Sequence, residues 1–137
     1  MQNIVSIGLA EARSIADAAR AKAAAEGWTV VIAVVDAGGH LILLERADGT
    51  QLGSIQVAQD KARTALMFKR PSKALEDAVL AGKVHMAQLT GALPIEGGMP
   101  LMLNDAIVGA IGVSGVQSFQ DGEVARAGAE ALYQENA

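Results

Sequence analysis

Cysteine is absent from this 137-residue chain. Its absence excludes disulfides, iron–sulfur clusters, thiolate zinc sites and cysteine nucleophiles. Aromatic residues are nearly as scarce, with Trp28, Phe68, Phe119 and Tyr133 making up the whole set. A stacking platform for single-stranded nucleic acid needs several aromatics on one face, which this chain does not supply. Positive charge is not in excess: 11 Lys+Arg stand against 15 Asp+Glu, for a net charge of -4. That balance argues against a globally basic nucleic-acid binder. The longest apolar runs, such as residues 30–35, fall far short of the roughly 18 residues that suggest a membrane span. The opening Met1-Gln2-Asn3-Ile4 lacks the basic and apolar regions of a secretory signal. The expectation is a soluble, cytoplasmic protein with no nucleic-acid or membrane partner. No H-x-x-x-H or H-E-x-x-H spacing occurs, so no dedicated protein metal site is expected.

Small apolar residues are abundant. Apolar residues reach 51% of the chain, against 19% charged, which suffices for a core and argues against disorder. The length fits one domain over residues 1–137. Residues 7–26 read as an amphipathic helix with Leu9, Ala12, Ala16, Ala19 and Ala23 inward, an Arg13/Asp17 pair outward and Gly27 as the stop. Residues 29–35 are mostly β-branched and nearly continuous in their apolarity, as a strand covered on both faces would be. Asp36-Ala37-Gly38-Gly39 is a turn into a second strand, Leu41–Arg46. A helix capped by Ser54 runs to about Phe68, with Ile55, Ala58, Ala62 and Ala65 inward, and Arg70-Pro71 ends it. A short helix follows from Ser72 to near Gly82. Residues 83–95 are ambiguous, with a short edge strand expected at 93–95. Residues 99–103 and 106–113 form a second hairpin around Asn104-Asp105, residues that tolerate positive φ. A last helix, capped by Ser118 or Asp121, buries Val124, Ala127, Ala131 and Leu132. Hairpins flanked by helices predict an α+β domain with an antiparallel sheet.

Three polar-glycine clusters lie at the ends of these elements. The first joins Asp36 to Gly39 with Arg46-Ala47-Asp48-Gly49. The second joins Lys61-Ala62-Arg63-Thr64 with Phe68-Lys69-Arg70-Pro71. The third joins Glu96-Gly97-Gly98-Met99-Pro100 with Gly109 to Gly115 and Gln120-Asp121. Paired glycines let a backbone approach a ligand, or another backbone, without a Cβ clash.

Taken together the clusters resemble the GlcG/HbpS family, which includes the C-terminal module of PduO-type proteins. The carrying residues are Val35-Asp36 with Gly39 and Leu41; Arg46 with Asp48-Gly49; Lys61-Ala62 with Thr64-Ala65; and Phe68 with Arg70-Pro71. They continue with Gly97-Gly98 and Pro100, Gly109 to Gly115, and Gln120-Asp121 through Ala125, Ala127 and Gly128. Ala47 and Thr50 depart from the family's common R-M-D-G-A loop. The resemblance implies a profilin-like fold with a five-stranded antiparallel sheet, a homo-oligomer, and haem or tetrapyrrole binding as in some members.

Axial iron ligands are usually His, Met, Tyr or Cys. The candidates here are His40, beside the Gly-Gly turn, and His85, next to Met86, followed by Tyr133 and the five methionines Met1, Met67, Met86, Met99 and Met102. A second reading needs no metal. Arg46, Lys61, Arg63 and Arg70 would form an anion-binding wall for a carboxylated substrate. Glu96 or Asp36, beside flexible glycines, would serve as general base, and Lys61 is a further catalytic candidate. Backbone N–H groups at Gly97-Gly98 or Ser114-Gly115 would stabilise an enolate. This describes a cofactor-independent isomerase, tautomerase or lyase. The plainer reading of the same residues is a structural Lys61/Asp121 ion pair with solvated arginines. Helical geometry separates Lys61 from Arg63 by roughly 200°, so Lys61 belongs to a pocket or a buried pair and Arg63 does not. A third reading is an oligomeric scaffold or regulatory partner built on alanine-rich helices.

Overall fold

The structure, a computed structural model, describes residues 1–135. Its elements are α1 (Leu9–Glu26), β1 (Val31–Asp36), β2 (Leu41–Arg46), α2 (Ser54–Phe68) and α3 (Ser72–Leu80), then a 3-10 turn (Val84–Gln88), β3 (Gly98–Leu103), β4 (Ala106–Ser114) and α4 (Ser118–Glu135). The four strands form one sheet in the order β2-β1-β4-β3, with every neighbouring pair antiparallel. The resemblance implied five strands; the described residues hold four.

The expected edge strand at 93–95 does not form. Pro94 has no N–H to give a ladder, and the Leu93 N–H donates instead to Thr64 Oγ1 at 2.9 Å. That segment follows Gly91, which has φ +80, so the chain turns where a strand would have to run straight.

β1 is central, and Val31 to Val35 are all buried. Their side chains alternate between two layers. Ile32 and Val34 join Ile111 and Val113 of β4 against Ala12, Ile15 and Ala19 of α1 and Val124 and Ala125 of α4. Val31, Ala33, Val35 and Ala110 face Ala58, Ala62 and Ala65 of α2. The sheet is thus sandwiched, with α1 and α4 on one face and α2 on the other.

The local signals for ends and turns hold where backbone conformation decides them. Gly27 closes α1 with φ +76, and Asn104 and Asp105 take φ +51 and +66 in the β3–β4 turn. The caps chosen for hydroxyls and carboxylates do not hold. Ser54 lies inside α2 after Gly53, and its buried hydroxyl bonds Ser114 Oγ at 3.0 Å. At α4 the Gln117 N–H donates to Gln120 Oε1, leaving Asp121 for another task. Asp17 pairs with Arg20, not Arg13. The inner stripes also shift: Leu9 is exposed and Ile15 replaces it, Ile55 is half-buried, and α4 buries Ala125 and Ala129 rather than Ala127 and Ala131.

Candidate functional site

The strand register sorts the glycine clusters to opposite ends of the sheet. Val31 pairs with both Arg46 and Ser114, and Gly98 pairs with Gly112, so Arg46, Gly97, Gly98, Ser114 and Gly115 share one end. Asp36 and His40 sit at the other, where β1 turns into β2.

The Gly98 end is organised around Lys61. Its side chain is 2% exposed, and its ammonium donates to Asp121 Oδ2 and to the Val113 carbonyl, each at 3.1 Å. The lysine leaves α2 on one face of the sheet and reaches α4 on the other. Gly97 makes this passage possible: it has φ +136, and a Cβ there would lie 2.8 Å from Lys61 Cδ and Nζ. Gly98 lies so near α2 that a Cβ would fall onto the Lys61 carbonyl oxygen. Its N–H donates to Ser72 Oγ at 2.8 Å. Burial pushes the Asp121 carboxyl up, and Lys61 and the Val116 N–H pull it part of the way back. The same Val116 N–H donates to Asp121 Oδ1 at 3.1 Å.

Glu96 is also buried, at 7% exposure, yet it is built differently. Its N–H donates to Glu76 Oε1 at 3.3 Å, while no described residue donates a hydrogen bond to its own carboxylate. The carboxylate lies over Gly122, where any Cβ would overlap it. It lines a cavity of about 120 Å³ together with Lys73, Gly97, Gly98, Met99 and Arg126. Burial raises the pKa of Glu96; Lys73 and Arg126 pull it down, while Glu76 and Asp77 push it up.

The four cations of the expected anion wall do not converge. Lys61 is spent on protein partners, and Arg63 is exposed on another side of α2. The exposed Arg70 donates from Nε to the Phe68 carbonyl. Arg46 lines a separate cleft of about 190 Å³ with Trp28, near Arg20, whose Nη1 donates to both Glu45 carboxylate oxygens.

At the opposite end, Asp36 Oδ1 accepts the N–H groups of Gly38 and His40 at 2.9 and 3.0 Å. The carboxylate thereby shapes the hairpin tip. The His40 ring is 78% exposed, with Nδ1 4.0 Å from that same oxygen. An open depression of about 470 Å³ also lies at this end of the sheet, lined by Lys69, Met102, Asp105, Ala106 and Ile107. His85 is exposed on the 3-10 turn. Among the described residues, no three His, Asp or Glu side chains converge as a metal site would require.

Sequence reading missed Lys73, Gly122 and Arg126. A signal was present for one of them. Glycine costs a helix interior about 1 kcal/mol relative to alanine, so Gly122 in an otherwise alanine-rich helix marks a place where something must approach closely.

The family model described as "Haem degrading protein HbpS-like" matches residues 7–130. The chain belongs to this family. Protein GlcG of Escherichia coli (strain K12) is 36% identical over 114 residues, covering 83% of this chain and 85% of that protein. A crystal structure of a double mutant of Streptomyces reticuli HbpS superposes with a TM-score of 0.89 at 32% identity, over 96% of this chain and 90% of the other. A crystal structure of a PduOC–heme complex superposes with a TM-score of 0.83 at 26% identity, over 93% and 95%. The HbpS-like resemblance read from the glycine clusters is therefore shown. No helix among the described residues is long and apolar enough to cross a membrane.

Proposed function

We propose that this HbpS-like protein binds haem or a related tetrapyrrole at the His40 end of the sheet. The observation that carries the reading is the likeness, over nearly the whole chain, to the PduOC–heme complex. The side chains at that end suit the group. His40 offers an accessible imidazole, the usual kind of axial donor. At the same end, in a depression that His40 itself does not line, Lys69 gives a cation for a propionate carboxylate, and Met102 and Ile107 give apolar surface.

Size supports the same end. Sites for drug-sized ligands span about 300–1,000 Å³. The Glu96 and Trp28 cavities, at about 120 and 190 Å³, are too small, whereas the depression at the His40 end reaches about 470 Å³. That depression is open, so a tetrapyrrole rests on the surface or between two chains. When bound, haem would supply an iron with redox and ligand-exchange chemistry; the chain supplies an axial nitrogen and an anion partner. A homo-oligomer is part of this reading, because Leu52, Met67, Leu80, Val84 and Phe119 are all strongly exposed and apolar surface of this kind favours subunit contact.

A haemin titration followed at the Soret band tests the proposal. A shift saturating near one haem per chain, lost in His40→Ala and kept in His85→Ala, is the expected result. No saturable shift in the wild type overturns the reading. Loss in His85→Ala alone would move the axial ligand to the 3-10 turn. Light scattering at the mass of a single chain across micromolar concentrations would remove the oligomer.

A further inference from the structure

Every fully enclosed polar side-chain atom among the described residues has a hydrogen-bond partner. The Glu96 carboxylate has none, although the residue is more than nine-tenths buried. Its oxygens therefore open onto the cavity they line rather than onto protein. Among the described residues no donor of the chain takes either oxygen, so both are free to accept from a small occupant of the cavity.

The walls state what else the donor's molecule must carry. Arg126 lines the same cavity and makes no ion pair among the described residues. Lys73 joins it, with its ammonium on Asp77 at 2.9 Å and a further N–H to give. Pro71 and Met99 close the remaining side with apolar surface. At about 120 Å³ the cavity falls well below the roughly 300–1,000 Å³ of sites for drug-sized ligands, which suits a small occupant. Gly122 is what lets the carboxylate lie there, since any larger residue on that turn of α4 would displace it.

We infer that the cavity between α3, β3 and α4 is a binding site for a short carboxylic acid carrying a hydroxyl or ammonium donor on the carbon next to its carboxylate. Arg126, assisted by Lys73, takes the ligand carboxylate, and Glu96 takes the neighbouring donor. The site lies at the Gly98 end, so it does not depend on the haem reading. Burial raises the pKa of Glu96, and a donor on the guest would relieve that cost; the charged groups set around it are Lys73, Glu76 and Asp77 on α3 and Arg126 on α4.

The test is an amide-resonance titration of the isotopically labelled protein with lactate, alanine and propionate in parallel. Lactate or alanine should move the Gly97, Gly98 and Gly122 resonances saturably. Propionate matches them in size but leaves Glu96 unpaired, so it should bind at least about tenfold more weakly. Glu96→Met removes both oxygens and should abolish that preference. Glu96→Gln separates the two donors, because it keeps an acceptor for a hydroxyl and loses the charge an ammonium needs. Arg126→Gln, on the exposed side of α4, should weaken all three acids without disturbing the fold. No saturable shift with lactate or alanine would overturn the inference. So would equal binding of propionate, or undiminished binding by the well-folded Arg126→Gln. A haemin titration of the Glu96 variants should match the wild type, which keeps this outcome separate from the haem reading.

Discussion

On the α1/α4 face of the sheet, Ile32, Val34, Ile111 and Val113 hold the helices off with branched side chains. On the α2 face Val31 and Val35 flank a stretch where Ala33, Ala110, Gly98 and Gly112 leave almost nothing between sheet and helix. The first face is filled by side-chain volume, which tolerates small changes because neighbours can repack. At Gly98 and Gly112 the second is backbone lying on backbone, which cannot. The close approach places α2 accurately enough for one lysine to reach through the sheet's end and meet an aspartate in the other layer. The difference teaches that the small residues position the charges.

The sharpest way to break this comparison is Gly112→Ala. The new Cβ would overlap the Ala58 carbonyl oxygen and lie 2.5 Å from the Ala62 nitrogen. The expected loss exceeds about 4 kcal/mol, in the range reached only by severe packing errors, and circular dichroism should show a protein that does not fold stably. A folded Gly112→Ala with wild-type melting would mean that the α2 face is as forgiving as the other.

Lys61→Met comes next. Removing one partner of a buried pair costs about 3–5 kcal/mol, while replacing both by apolar residues recovers much of it. Urea denaturation of Lys61→Met beside Lys61→Met/Asp121→Leu should show the single variant to be the weaker of the two. Arg63→Met, two residues along, should change stability by less than about 0.5 kcal/mol. Equal effects at Lys61 and Arg63 would contradict the burial of one and the exposure of the other. On the side-chain-filled face, Ile111→Val should cost only about 0.5–1.5 kcal/mol, even though Ile111 neighbours Gly112 in the same strand.

The smallest effect concerns pH at the rim between the faces. The folded pKa of Glu96 is raised, chiefly by burial, so folding favours its protonated form. That contribution is complete below the unfolded carboxyl value of about 4.3 and fades as pH rises through the folded value. Glu96→Gln never ionises. Its melting temperature, compared with wild type, should therefore improve steadily from about pH 4 toward neutrality. A difference that runs the other way would mean that Arg126 and Lys73 outweigh burial.

Much of the first layer of this fold was legible in sequence because its signals are local. Gly27 can end a helix, Asn104-Asp105 can turn a hairpin, and β-branched residues can fill a central strand, each without knowing the rest of the chain. The errors share a different cause. Ser54 and Asp121 look like caps, yet Ser54 Oγ meets Ser114 and Asp121 Oδ2 meets Lys61, each 60 positions away, and no local pattern carries that information. Residues 93–95 have strand-like apolarity, but Pro94 and the pull of Thr64 settle the matter against it. The Lys61/Asp121 pairing was visible as one reading of two, and helix geometry had already separated Lys61 from Arg63. The cavity at Glu96 was half visible, since Gly97-Gly98 announces close approach. Arg126 and Lys73 lie on helices with nothing in their own neighbourhood to mark them; only the packing of α3 and α4 around β3 brings them together.

The passage of Lys61 through the end of the sheet also changes what reagents can find. Amine acylation needs a free amine at the surface, and Lys22, Lys69, Lys73 and Lys83 all reach solvent. Lys61 does not, because both its stem and its ammonium are enclosed. In the folded chain four lysines should label promptly and the fifth should wait until α2 parts from β3. The rate of that last labelling event is thus a clock for the opening of the molecule, one already written into the chain without any added probe.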